Sequence, residues 1–206
     1  PHRGFETVTY MLAGRMRHKD SEGHEDVIGP GDVQWMTAGR GLVHSEMPEQ
    51  TEGLMQGFQL WVNLPAEQKM TAPTYRAISA GSIPVETLPS GGVLKVIVGA
   101  SDHGTVGPVV IPTSSPLFFD VTLPPGGRFE QAVLASHSGV LYGLEGGISV
   151  GPEAREVTAG SLGVLGPGDH VVVHARQRAA RFLLLAGRRI GEPVVRYGPF
   201  VMNTRQ

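Results

Sequence analysis

Thr9-Tyr10-Met11-Leu12-Ala13-Gly14-Arg15 and Leu141-Tyr142-Gly143-Leu144-Glu145-Gly146-Gly147 share one grammar, a β-rich run with a tyrosine that ends in a glycine turn. Pro30-Gly31-Asp32-Val33-Gln34-Trp35-Met36 and Ala159-Gly160-Ser161-Leu162-Gly163-Val164-Leu165 are related in the same way. Repetition of this kind means two copies of one β unit. Outward from these stretches, Val33–Thr37, Gly57–Leu64, Val93–Val98 and Arg181–Ala186 read as further strands. Turn signatures such as Ile28-Gly29-Pro30-Gly31-Asp32 separate them. The 29 glycines, 16 prolines and 17% charged residues favour short strands and tight turns over long charged helices. The chain reads as all-β.

Gly99 to Pro112 is rich in Gly and Pro and poor in large apolar residues, and is read as a connector. It divides the chain into a first domain, 1–105, and a second, 106–206. The tail, Glu192 to Asn203, is too apolar for a free terminus and is expected to dock on the first domain. There is no cysteine, which excludes disulfides, Cys-ligated zinc and iron–sulfur clusters. A formal net charge of −2 without a Lys/Arg run argues against direct nucleic-acid binding. No signal peptide and no membrane-length apolar run is visible, so the expectation is a cytoplasmic protein without membrane contact. The sequence begins with Pro1, inside what reads as a motif, so a preceding segment is expected to be missing.

Candidate chemistry starts at Gly39-Arg40-Gly41-Leu42-Val43-His44-Ser45-Glu46. On a strand, positions two apart face the same side, so His44 and Glu46 point together, either into a barrel or out into water. Gly39 and Gly41 permit the backbone turns that aim His44. Arg40 between them suits either an anionic substrate or an ordinary salt bridge. In Pro1-His2-Arg3-Gly4-Phe5-Glu6, His2, Gly4 and Glu6 share a face. Two imidazoles with a carboxylate, drawn from separate strands, suit a first-row transition metal such as iron. His18 and His24 lie in a polar hairpin end and are read as surface residues. In the second copy, the places of His2, His44 and Glu46 fall at Leu134, Val173 and Ala175, so that copy keeps the barrel and loses the ligands. His174 corresponds to Ser45 and faces away. His137 and His170 have no partner at ligand spacing.

Pro1-His2-Arg3-Gly4-Phe5-Glu6-Thr7, Gly31 to Gly41, His44-Ser45-Glu46 and Tyr197-Gly198-Pro199-Phe200-Val201-Met202-Asn203 resemble the pirin family of the cupin superfamily, from one end of the chain to the other. The resemblance implies two tandem cupin β-barrels, a bicupin. The first, truncated at its N-terminus here, holds one non-haem iron or another divalent transition metal, and the second is metal-free. A His-Pro-His motif and a later His-x-Glu supply the family's ligands. His2 matches the second histidine of the first motif, and His44 and Glu46 match the second motif. The first histidine would immediately precede Pro1. Glu6 matches a carboxylate ligand of other cupins and is placed behind the ligands in this family. Some relatives resemble quercetin 2,3-dioxygenases, which implies a small aromatic substrate such as a flavonol, O2, and Glu46 as proton acceptor. Other relatives resemble non-enzymatic regulators that bind a transcription factor or metabolic enzyme, which implies a protein partner instead.

Overall fold

The computed structural model describes residues 1–109, 111 and 115–205. It holds strands β1 (Phe5–Ala13), β2 (Met16–Asp20), β3 (Glu25–Ile28), β4 (Val33–Thr37), β5 (His44–Pro48), β6 (Gln56–Asn63) and β7 (Thr74–Ile78). These are followed by β8 (Val85–Thr87), β9 (Val93–Val98), β10 (Leu117–Leu123), β11 (Arg128–Ala132), β12 (His137–Glu145), β13 (Gly147–Val150) and β14 (Arg155–Thr158). The last are β15 (Leu162–Val164), β16 (His170–Ala175), β17 (Ala180–Arg188), β18 (Val195–Tyr197) and β19 (Phe200–Met202). Two single-turn 3-10 helices, Ala66–Gln68 and Ala80–Ser82, are the only helical elements among the described residues.

The chain forms two compact units. One is Pro1–Ser82 with the stretch from Ile190 onward, and the other is Ile83–Arg189. This division differs from the expected 1–105 and 106–206. Val93–Val98, read as the last strand of the first half, pairs with β10, with Phe119 opposite Val96 and Val121 opposite Leu94. Residues 110 and 112 of the expected connector lie outside the described residues.

Each unit is a pair of sheets with the same internal order. In the first, β6-β1-β4-β7 faces the three-stranded β3-β2-β5. In the second, β17-β12-β15 repeats β6-β1-β4, and β14-β13-β16 repeats β3-β2-β5. The fold is therefore all-β, with two copies of one β unit as the sequence repeat implies and tandem cupin domains as the family resemblance implies. β10 beside β17 and β11 beside β16 have no counterparts beside β6 and β5 among the described residues.

β1 is a middle strand, bonded to β4 and β6, and its first seven residues are buried on both faces. Its odd positions, Thr7 and Thr9, lie on the opposite side from Val8 and Tyr10. The second unit fills its interior with Phe119, Leu123, Phe129, Leu141, Phe182 and Leu184, each no more than 2% exposed. The interior of the first unit is more polar, with Thr7, Thr9, His18, Asp20 and Gln34 all buried.

Two features tie the first unit to its C-terminal hairpin. Gly4 has a φ of 82°, and a Cβ built there would stand 2.1 Å from the Val201 carbonyl oxygen. Only glycine tolerates both the left-handed backbone and that approach. Lys69 is buried, and its ammonium donates to Gly4 O, Asn63 Oδ1 and Val201 O at 2.7–2.9 Å. Burial lowers its pKa, and the more distant Glu192 carboxylate opposes the shift.

Candidate metal centre

β2 and β5 pair antiparallel, with His18 opposite Glu46 and Asp20 opposite His44. Directly opposed residues share a sheet face, so these four side chains form one patch. On the larger sheet, Thr9 of β1 stands opposite Gln34 of β4 and Gln59 of β6, a polar row across three strands. The two rows meet between the sheets. Gln34 Nε2 donates to Glu46 Oε1 at 2.9 Å, and Gln59 Nε2 donates to Glu46 Oε2 at 2.7 Å. Each carboxylate oxygen thus takes one amide hydrogen from the facing sheet.

The ligating atoms of His18, His44 and Glu46 all lie within 4.8 Å of one another. The His2 ring centroid stands 4.7 Å from that of His44, and the His18 centroid 5.5 Å on another side. His2 is held there by reciprocal backbone hydrogen bonds with Leu42 and by edge contacts with Phe5 and Trp61. Both His2 Nδ1 and His44 Nδ1 are buried outside hydrogen-bond geometry among the described residues, although the Pro199 backbone acts on the His2 ring and raises its pKa. Such orphans are rare in a folded interior and call for an explanation. A nearby metal ion supplies one, because neutral imidazole nitrogens and a carboxylate are the donors that first-row transition metals take.

Burial and repulsion from a neighbouring histidine disfavour the protonated form of both rings, His2 and His44. Burial, then the neighbouring His18, pushes the His44 pKa down to about 4. Burial, followed by His44, also lowers that of His2. Burial works against the Asp20 carboxylate, but hydrogen bonds from His18 and His24 outweigh it and leave its pKa low. Tyr75 of β7 stacks on the His18 ring at 4.5 Å, and burial, then Asp26 and Asp20, raise its phenol pKa.

Two placements, those of His18 and Glu6, differ from the sequence reading. His18, read as a surface residue, is wholly buried, and only His24 of that pair reaches solvent. The signal was present in Met16-Arg17-His18-Lys19-Asp20: the charged Arg17 and Lys19 alternate with an inward set, and His18-x-Asp20 echoes His44-x-Glu46. Glu6 lies on the opposite face of β1 from Thr9. Its carboxylate accepts from Thr37 Oγ1 at 2.6 Å, and burial raises its pKa while bonds from Thr37 and Trp35 oppose the rise. Glu6 therefore does not line the centre. Leu134, expected at the place of His2, is 60% exposed in the turn after β11. Arg40 is exposed between its two glycines.

In the second unit the corresponding rows are apolar. Leu141 stands opposite Gly163 and Leu184, where the first unit has Thr9, Gln34 and Gln59. Ile148 opposes Ala175 and Val150 opposes Val173, where the first unit sets His18, Asp20, His44 and Glu46. His170 and His174 are on the exposed side of β16.

Comparison with known proteins gives a consistent picture. The sequence matches the family described as Pirin over residues 1–62 and the Pirin C-terminal cupin domain over residues 118–206. A pirin-like protein of Caulobacter vibrioides is 55% identical over the whole of this chain and 74% of its own length. Pirin-1 of Arabidopsis thaliana is 48% identical over the whole of this chain and 71% of its own. The crystal structure of a quercetin 2,3-dioxygenase from Acinetobacter baumannii superposes with a TM-score of 0.90 and 37% identity. That match covers 99% of this chain and 72% of the other.

Proposed function

The chain belongs to the pirin family, and from that premise we propose that its first unit is an iron centre of the quercetin 2,3-dioxygenase type. The substrate class is a flavonol or similar hydroxylated planar aromatic, with O2 as co-substrate. The observation that carries this reading is the buried His44 Nδ1, without a hydrogen-bond partner among the described residues and 3.7 Å from a Glu46 carboxylate oxygen, with the His2 ring 4.7 Å from that of His44. In this reading His2, His44 and Glu46 hold the metal. Iron, or another divalent transition metal, would supply Lewis acidity toward the substrate hydroxyl and access to oxygen chemistry.

The protein's own groups do the rest. Glu46 lies on the same strand face as His44, and its carboxylate takes the proton of the aromatic hydroxyl as general base. Gln34 and Gln59 hold that carboxylate from the facing sheet and fix where the proton is received. Trp61, 41% exposed and in edge contact with His2, offers a flat apolar surface for an aromatic ring. The deciding measurement is oxygen uptake by the iron-loaded protein with quercetin, beside a metal-free control. Uptake that needs both iron and flavonol supports the reading, and equal rates with and without iron reject it.

A second reading, an iron-dependent regulator that binds a transcription factor or metabolic enzyme, draws on a different observation. Val43 and Met47, on the outer side of the β5 segment, and Leu54 and Met55 in the following loop are all between 44% and 68% exposed. Exposed apolar side chains along one stretch of the chain suit a protein partner. Absence of turnover with every flavonol tried would favour this reading.

A further inference from the structure

Both ring nitrogens of His18 are already engaged, whereas His44 Nδ1 has no hydrogen-bond partner among the described residues. His18 Nε2 donates to Asp20 Oδ2 at 3.1 Å. Gln34 Nε2 donates to His18 Nδ1 at 3.3 Å and, with its second hydrogen, to Glu46 Oε1 at 2.9 Å. The chain of donors has one direction. Asp20, as a carboxylate, is a pure acceptor, so Nε2 of His18 carries the hydrogen, and in the neutral ring Nδ1 accepts. Nδ1 then requires the amide nitrogen of Gln34, not its oxygen. A reversed Gln34 amide would set Oε1 against both the His18 lone pair and the Glu46 carboxylate. Asp20 is itself fixed by the backbone N–H groups of Glu22 and His24 and by the His24 ring. Its side chain is wholly buried, as are those of His18 and Gln34.

We propose that His18 is not a metal ligand but the link of a positioning chain, Asp20–His18–Gln34–Glu46, that sets the orientation of Glu46. The inference rests on the metal-centre reading for its consequence, since Glu46 is the carboxylate that reading uses. It goes beyond that reading by assigning roles to Asp20, His18 and Gln34. It also explains why an imidazole so close to His44 and Glu46 adds no donor. Ligand carboxylates are held by outer hydrogen bonds of this kind, and their removal costs roughly 10–100-fold in metal affinity.

Asp20→Asn tests the direction of the chain. Asparagine keeps an oxygen for the backbone N–H groups of Glu22 and His24 but turns an amide N–H toward His18. His18 must then accept at Nε2 and donate at Nδ1, which forces the Gln34 amide to reverse and drives its oxygen onto Glu46. The measurements are ring-nitrogen NMR of the histidines and calorimetric titration of the metal-free chain with Zn(II) as probe. The wild-type protein should show His18 as the Nε2–H tautomer, and Zn(II) should shift the ring nitrogens of His44 but not those of His18. Asp20→Asn should exchange the tautomer, and Asp20→Asn and Gln34→Met should each weaken Zn(II) by about 10–100-fold. His174→Gln, on the exposed side of β16 and away from the chain, should stay within about twofold of the wild type, well inside that range. A Zn(II)-dependent shift at His18 would make it a ligand and overturn the proposal. So would wild-type affinity in both Asp20→Asn and Gln34→Met. The tautomer in the unmodified protein decides the direction even if Asp20→Asn folds poorly. If the wild type takes up no Zn(II), the metal-centre reading fails, whereas a His18 found as the Nδ1–H tautomer sinks this inference by itself.

Discussion

His44 carries a consequence for acid stability. Its pKa falls from 6.5 to about 4 in the folded chain, chiefly because it is buried. As pH drops below 6.5 the unfolded chain takes a proton at this residue that the folded chain refuses. The stability associated with neutral His44 is therefore present above pH 6.5 and lost as pH falls toward 4. Denaturant midpoints of the metal-free protein between pH 7.5 and 5 should fall more steeply for wild type than for His44→Leu, and parallel slopes would show that His44 is not the group responsible. The same residue tests the ligand set. His44→Ala should lose most bound iron by elemental analysis, whereas His174→Ala, on the exposed side of β16, should retain it. Equal iron in His44→Ala and wild type would remove His44 from the centre. Glu46→Gln separates two roles of one carboxylate. As ligand alone, its loss lowers turnover in proportion to iron lost. As proton acceptor too, it lowers the rate per bound iron by roughly a hundredfold or more. His44 and Glu46 were legible in the sequence because their spacing alone places them together. The roles of Gln34 and Gln59 were not, because nothing local marks a glutamine on one strand as the partner of a glutamate on another.

Strand order and turn chemistry explain which elements the sequence revealed. The runs around Tyr10, Trp35 and Leu184 declare themselves by β-rich composition between glycine turns. β2 does not, since Arg17 and Lys19 give it the polarity of a hairpin tip while His18 and Asp20 point inward. The assignment of Val93–Val98 to the first half failed for a related reason: a strand's sequence shows that it is a strand, not which sheet it joins. The closure of the first unit by its C-terminal hairpin gives a test at this level. Gly4→Ala introduces a Cβ 2.1 Å from Val201 O at a φ of 82°, whereas Gly23→Ala meets nothing within 4 Å at a φ of 92°. Both variants carry left-handed strain of about 1–2 kcal/mol, so the excess loss in Gly4→Ala reads the hairpin contact. Lys69→Met should cost about 3 kcal/mol, because it strands buried acceptors at Gly4, Asn63 and Val201. Chemical denaturation that finds Gly4→Ala no less stable than Gly23→Ala would mean the hairpin yields without cost.

At the scale of the whole molecule, one topology is used twice with opposite interiors. The order β6-β1-β4 over β3-β2-β5 returns as β17-β12-β15 over β14-β13-β16. The repeat was readable because glycine turns and strand runs recur at matched places in both halves. The difference in use was readable only where a ligand type is replaced outright, as at Val173 and Ala175. The wider substitution, Leu141, Gly163 and Leu184 across the sheet where the first unit has Thr9, Gln34 and Gln59, emerged from the strand pairings. A polar interior is costly unless each group is satisfied, so the first unit's buried histidines, glutamines and acids are expected to be kept by a bound ion. Metal removal should therefore act on the two units unequally. Chelation of the iron-loaded protein should raise amide hydrogen exchange in β2, β4 and β5 while leaving β12, β16 and β17 unchanged. Anomalous scattering at the iron edge should place one ion beside His44 and Glu46 and none among Val171, Val173 and Ala175. Iron between β13 and β16, or equal deprotection of both units on chelation, would show that the apolar rows do not decide where the metal goes.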